Sequence, residues 1–121
     1  MPINKILVVD DSPTERFVLT ELLSGKGYQI VTAENGEEAI AKSKSEMPDL
    51  ILMDVVMPGM NGYQATRIIS RDQVTRAIPI IMCTSKGFET DRIWGMRQGA
   101  FDYLVKPLDH NELLNRIKAL G

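Results

Sequence analysis

Apolar positions along the chain fall into two patterns: short unbroken runs, and longer stretches in which apolar residues recur at helical spacing. Ile6 to Val9, Leu50 to Met53, Ile78 to Cys83 and Tyr103 to Val105 belong to the first pattern. A strand covered by helices on both faces has no solvent side to make polar, so such runs predict parallel strands rather than a half-exposed sheet. Tyr28 to Thr32 mixes polar and apolar residues and predicts a strand at an edge.

The intervening stretches carry helix punctuation. In Ser12-Pro13-Thr14-Glu15 the serine suits an N-cap, the proline a first turn, and the glutamate a capping box. Val18, Leu19, Leu22 and Leu23 then make one apolar face. The last helix opens in the same way, with Asp109 as cap, Glu112 three residues on, and Leu108 placed to staple against Leu113. Helices are also expected over Glu37 to Glu46, Gly62 to Arg71 and Glu89 to Gln98.

Strand and helix therefore alternate five times. Parallel neighbours need right-handed helical crossovers, which predicts a three-layer, doubly wound α/β fold around one parallel sheet. With 121 residues, 44% of them hydrophobic and 25% charged, the chain suits a single domain over residues 1–121 with no second unit. The only cysteine, Cys83, ends a buried strand and reads as a small core residue. Fourteen basic residues against 16 acidic ones leave no electrostatic footprint for nucleic acid. The apolar run near the N-terminus is too short for a signal peptide or a membrane span, so a cytoplasmic home without membrane insertion is expected.

Open parallel sheets bind ligands beyond the carboxyl ends of their strands. The residues there are Asp10 and Asp11 after the first strand, Asp54 after the third, Thr84 after the fourth and Lys106 after the fifth. Three carboxylates at one edge repel each other unless a cation neutralises them, and a set of oxygen donors favours a hard ion such as Mg²⁺, or Mn²⁺ in its place. A lysine facing that cation becomes useful if an anion is to be held as well. One aspartate, one divalent ion, one lysine and one hydroxyl are sufficient for phosphoryl transfer. No glycine-rich turn follows the first strand, which argues against a dinucleotide site.

The stretches LVVDDS, LILMDVVMPGMNG, PIIMCTS and DYLVKP, in this order, resemble the receiver domain of response regulators, the CheY-like family, over essentially the whole chain. The resemblance implies a flavodoxin-like (βα)5 fold with strand order 2-1-3-4-5. It implies Asp54 as phosphoacceptor, with Asp11, Asp54 and the Val56 carbonyl as metal ligands and Asp10 acting through water. Lys106 would pair with the phosphoryl oxygens, and the Lys106–Pro107 bond would be cis. Thr84 would shift toward the phosphoryl group, and Tyr103 would rotate into the space it leaves. Val56 and Lys86 occupy the positions that tune phosphoryl lifetime.

The same resemblance implies a CheA-like sensor histidine kinase as donor and a protein effector docked on the face formed by the fourth helix, fifth strand and fifth helix. No output domain is expected after Gly121, and no enzymatic activity beyond the protein's own phosphorylation and dephosphorylation. DDSPTE, AENGEEA, MDVVMPGMNGYQATR and RQGAFDYLVKP are similar to stand-alone PilH-type regulators of type IV pilus twitching motility. A flagellar chemotaxis-type regulator, a phosphate sink and a phosphorylation-independent scaffold remain open beside that reading. A phosphohydrolase with an aspartyl-phosphate intermediate is disfavoured, because the first-strand aspartates are adjacent and there is no room for a cap domain. Trp94 could face either the sheet or a partner, and His110 reads as a surface residue.

Overall fold

The computed structural model describes residues 2–121. Its elements run β1 (Lys5–Val9), α1 (Pro13–Ser24), β2 (Gln29–Ala33), α2 (Gly36–Glu46), β3 (Leu50–Met53), α3 (Gly62–Arg71), β4 (Ile80–Thr84), α4 (Glu89–Gln98), β5 (Asp102–Val105) and α5 (His110–Leu120). The five strands pair in parallel in the order β2-β1-β3-β4-β5, as expected.

The unbroken apolar runs have a simple origin in the pleat, since successive side chains point to opposite faces. Ile6 and Val8 of β1 join Leu50 and Leu52 of β3 beneath α1 and α5, where they meet Leu19, Leu23, Leu113 and Ile117. Leu7 and Val9 point the other way and join Ile51 and Met53 against Ala39 of α2 and Ala65 and Ile69 of α3. Both faces are dry, so neither set can be polar. A third cluster, Val55, Met82, Ala100 and Tyr103, packs by α4.

Register brings the strand ends level: Val9 stands opposite both Ala33 and Met53, and Met53 opposite Met82. β2 lies at an edge, as its mixed pattern predicted, but one residue further along. β4 starts at Ile80, not Ile78, because Pro79 has no N–H to give the ladder; its carbonyl still accepts from Ile51 N–H at 3.0 Å. Val18, expected on the buried face of α1, is 43% exposed. Trp94 is 48% exposed, Cys83 is buried and His110 is exposed.

Side-chain caps set the helix starts. Ser12 accepts from Glu15 N–H at 3.3 Å, Asn35 from Glu38 N–H at 2.8 Å and Asp109 from Glu112 N–H at 3.1 Å. The expected capping box of α1 is only half formed, for the Glu15 carboxylate turns away to Lys106. α5 departs likewise, with Glu112 lying 3.8 Å from Arg116 instead. The reciprocal box is complete at α3, between Asn61 and Gln64. Among the described residues, no helix is long and apolar enough to cross a membrane.

Candidate functional site

The sheet ladder continues one residue past its strands, and that extra residue is acidic. Asp10 N–H donates to Ala33 O at 3.1 Å, and Asp54 N–H donates to Val9 O at 2.9 Å. On the far side Lys106 N–H donates to Thr84 O at 2.8 Å. Backbone hydrogen bonds thus hold both carboxylates and the lysine against one edge of the sheet. The Lys106–Pro107 peptide is cis, as the resemblance implied.

Gly62 secures the other side of Asp54. A Cβ at Gly62 would stand 2.1 Å from the Asp54 carbonyl oxygen, so any side chain there would push the β3–α3 loop away. The Gly62 N–H closes that loop by donating to Val55 O at 2.9 Å.

Asp10, Asp11 and Asp54 each place a carboxylate oxygen within 4.8 Å of the others. Asp10 and Asp54 are buried, whereas Asp11 is exposed at the mouth. Lys106 Nζ lies 2.9 Å from Asp10 Oδ2 and 3.7 Å from Asp54 Oδ2, and it also bonds Glu15. Asp54 Oδ1 accepts from Val55 N–H at 2.8 Å, and Asp10 Oδ1 accepts from Ser12 N–H at 2.9 Å.

This crowding shows in the proton affinities. Burial, followed by the charge of Asp10, pushes the Asp54 carboxyl up to about 6, against the pull of Lys106 and the Val55 N–H. Burial also pushes Asp10 upward, but hydrogen bonds with Glu15, Lys106 and the Ser12 N–H hold it below the ordinary carboxylate range. Glu15 is raised, its contact with Asp10 outweighing Lys106. Burial opposes the charge on Lys106, yet its bonds to Glu15 and Asp10 keep the ammonium above its ordinary value. A convergent, mostly buried set of hard oxygen donors with excess negative charge suits a small divalent cation.

Of the residues singled out in the sequence, Asp10, Asp11, Asp54, Val56 and Lys106 line one cleft. Thr84 does not: it is fully buried, its hydroxyl accepts from Lys86 N–H at 3.2 Å, and Ser85 lines the cleft instead. Lys86 is exposed on the β4–α4 loop. Tyr103 already points inward, 5% exposed, with its hydroxyl donating to Lys86 O at 2.6 Å. Gly95 makes room for it, since a Cβ there would lie 2.7 Å from Met82 Sδ and 3.0 Å from the Tyr103 ring. Tyr63 OH reaches the Asp91 carbonyl at 3.2 Å and lies 3.5 Å from Tyr103 OH.

Glu15, Tyr63 and Gly95 were missed as contributors to this region. Glu15 was legible in principle, because it stands four residues after Asp11 in the first turn of a helix that starts at the cleft. Tyr63 and Gly95 carry no such signal, since their roles depend on how α3 and α4 meet.

The response regulator receiver domain model matches residues 6–118. Protein PilH of Pseudomonas aeruginosa is 53% identical over 116 residues, which are 96% of each chain. Several transcriptional regulators also match, and the chain spans about half of their length. Among solved structures, Vibrio cholerae chemotaxis protein CheY4 superposes with a TM-score of 0.91 at 32% identity, covering 98% of this chain and 99% of that one. The receiver domain of sensor histidine kinase PA1611 from Pseudomonas aeruginosa gives 0.89 at 32% identity over 97% and 96% of the two chains; that structure has a magnesium ion coordinated in its active site cleft.

Proposed function

Because the chain belongs to the response regulator receiver domain family, whose members serve phosphorylation-dependent signalling, we propose that Asp54 accepts a phosphoryl group from a sensor histidine kinase and that the protein signals through contacts with other proteins. The observation that carries this reading is the juxtaposition of Asp54, two further carboxylates and Lys106 at one sheet edge.

Asp10, Asp11, Asp54 and the Val56 carbonyl are the groups that would hold Mg²⁺ or Mn²⁺. When bound, the cation neutralises the negative charge that otherwise separates a carboxylate from a phosphoryl group. An oxygen of Asp54 attacks phosphorus, the bond from phosphorus to the donor imidazole nitrogen breaks, and that nitrogen keeps the electron pair. The product is an acyl phosphate. Lys106 stands 3.7 Å from the nucleophile and is the cation placed to bind the arriving oxygens. Thr84 gives up its bond from Lys86 N–H to reach the same group, which moves the β4–α4 loop. That motion alters the face of α4, β5 and α5, where Trp94 and Val105 are exposed for an effector.

Water hydrolyses the acyl phosphate and resets the switch. Val56 offers that water no hydrogen bond, and Lys86 stands nearby on its loop, so these two residues tune the lifetime. In this reading the chain is a cytoplasmic regulator, served by a CheA-like kinase and governing twitching motility through type IV pili. The likeness to PilH supports that last step.

A second reading draws on Tyr103, whose ring is buried and whose hydroxyl is held by Lys86 O at 2.6 Å. If the effector face is preset, the protein works as a phosphorylation-independent scaffold. Incubation with acetyl phosphate and Mg²⁺, followed by phosphate-affinity electrophoresis, tests the main reading. Wild type shifts and Asp54→Asn does not; a shift in Asp54→Asn shows that the acceptor lies elsewhere.

A further inference from the structure

Lys106 has three carboxylate partners, and only one of them is free to leave. Asp10 and Asp54 have side chains 4% and 8% exposed and are fixed by ladder bonds, whereas the Glu15 side chain is 44% exposed. Glu15 nonetheless bonds the ammonium, while Asp54 stands off at 3.7 Å. Its place is set from behind, because the Glu15 N–H is the one that Ser12 caps. The other cation nearby is engaged elsewhere: Arg16 bonds the Asp10 carbonyl at 2.7 Å and Glu34 at 3.2 Å.

We propose that Glu15 is a competitive counter-ion for Lys106, a positioning residue that occupies the lysine until a phosphoryl group displaces it and so raises the phosphodonor concentration needed to charge Asp54. The inference rests on the reading of Asp54 as acceptor. An ammonium has three donors: Asp10 and Glu15 take two of them, and Asp54 at 3.7 Å is held by charge alone. Phosphorylation converts the single charge of Asp54 into about two charges on a group with three acceptor oxygens. One donor of Lys106 faces those oxygens already, and a second becomes available only when Glu15 withdraws. Glu15, 44% exposed, withdraws into water at the cleft mouth, since the neighbouring pocket is walled mainly by Val18, Leu19, Pro107 and Leu108, with His110 its one polar side chain besides Glu15 and Lys106. A further negative charge in the cleft also drives Glu15 outward.

The test compares wild type, Glu15→Gln, Glu15→Asp and Glu21→Gln. Glutamine keeps the shape without the charge; aspartate keeps the charge but is one methylene short; Glu21 is an exposed residue on the same helix. Initial rates of phosphorylation are measured against acetyl phosphate concentration with Mg²⁺, and beryllofluoride binding is followed by fluorine NMR. Glu15→Gln lowers the half-saturating concentration of both ligands about fivefold, the scale of one partly exposed ion pair, with a smaller change in maximal rate. Glu15→Asp falls between Glu15→Gln and wild type, and Glu21→Gln matches wild type. Unchanged or raised half-saturation in Glu15→Gln overturns the competitive role, as does an equal fall in Glu21→Gln. Absence of any phosphoryl uptake in wild type instead removes the reading of Asp54.

Discussion

The Tyr103 hydroxyl donates to the backbone carbonyl of Lys86 at 2.6 Å, tying β5 to the loop that follows β4. Tyr103→Phe removes this bond while leaving the buried ring in place. Stability falls by about 1 kcal/mol, the net worth of one hydrogen bond, because the exposed Lys86 segment recovers a bond to water. Amide exchange in the β4–α4 loop accelerates, and exchange in β1 does not. Equal acceleration in both elements would show that the bond is not local to the loop.

Gly95 and Tyr103 form a packed pair in which one supplies volume and the other the lack of it. Gly95→Ala forces the ring outward or strains α4, at about 1–3 kcal/mol. Combined with Tyr103→Ala the new methyl group loses its clash with the ring and Met82 gains room to move aside, so the two changes are less than additive by about 1 kcal/mol or more in a double-mutant cycle. Strict additivity in urea denaturation contradicts the contact.

Asp54 makes stability depend on pH in an unusual direction for an aspartate. Its carboxyl is raised from the ordinary 3.8 to about 6, so between these values the folded state binds more protons than the unfolded state. Stability contributed by this group is present below the ordinary value and is lost as pH rises through about 6. The loss approaches about 3 kcal/mol when complete. Without metal at pH 7.5, Asp54→Asn is therefore more stable than wild type by about 1–3 kcal/mol, and the gap closes near pH 4. Chemical denaturation in EDTA at the two pH values decides it, and a mutant less stable at pH 7.5 refutes it.

Asp11 is exposed, while Asp10 and Asp54 carry the buried charge. Asp11→Asn leaves the melting temperature of the metal-free protein within about 2 °C, as surface substitutions do. Mg²⁺ affinity measured by calorimetry drops at least about tenfold through loss of one anionic oxygen ligand. Undiminished affinity would take Asp11 out of the metal site.

The residues that carry the candidate chemistry were legible because fold and chemistry share one cause. A strand that must be dry on both faces, such as Leu50 to Met53, makes the first polar residue after it conspicuous, and in this chain that residue is Asp54. Strand order and the cis peptide came from resemblance and were met in the structure. What local pattern misread were the residues with two possible partners. Glu15 fits a capping box by spacing, yet a partly buried ammonium attracts a carboxylate more strongly than a backbone N–H does. Val18 fits an apolar helix face, but the wall of α1 near Pro107 and Leu108 leaves a pocket that it does not fill. The inward Tyr103 depends on a glycine eight residues earlier, and no periodicity relates the two.

The ladder bonds that carry Asp10 and Asp54 join β2, β1 and β3, whereas Lys106 arrives with the last strand. During synthesis the carboxylates are thus made long before Lys106, and a nascent chain that stops short of β5 carries their charge without the lysine that offsets it. The candidate site is therefore complete only with nearly the whole chain made and the sheet closed from edge to edge.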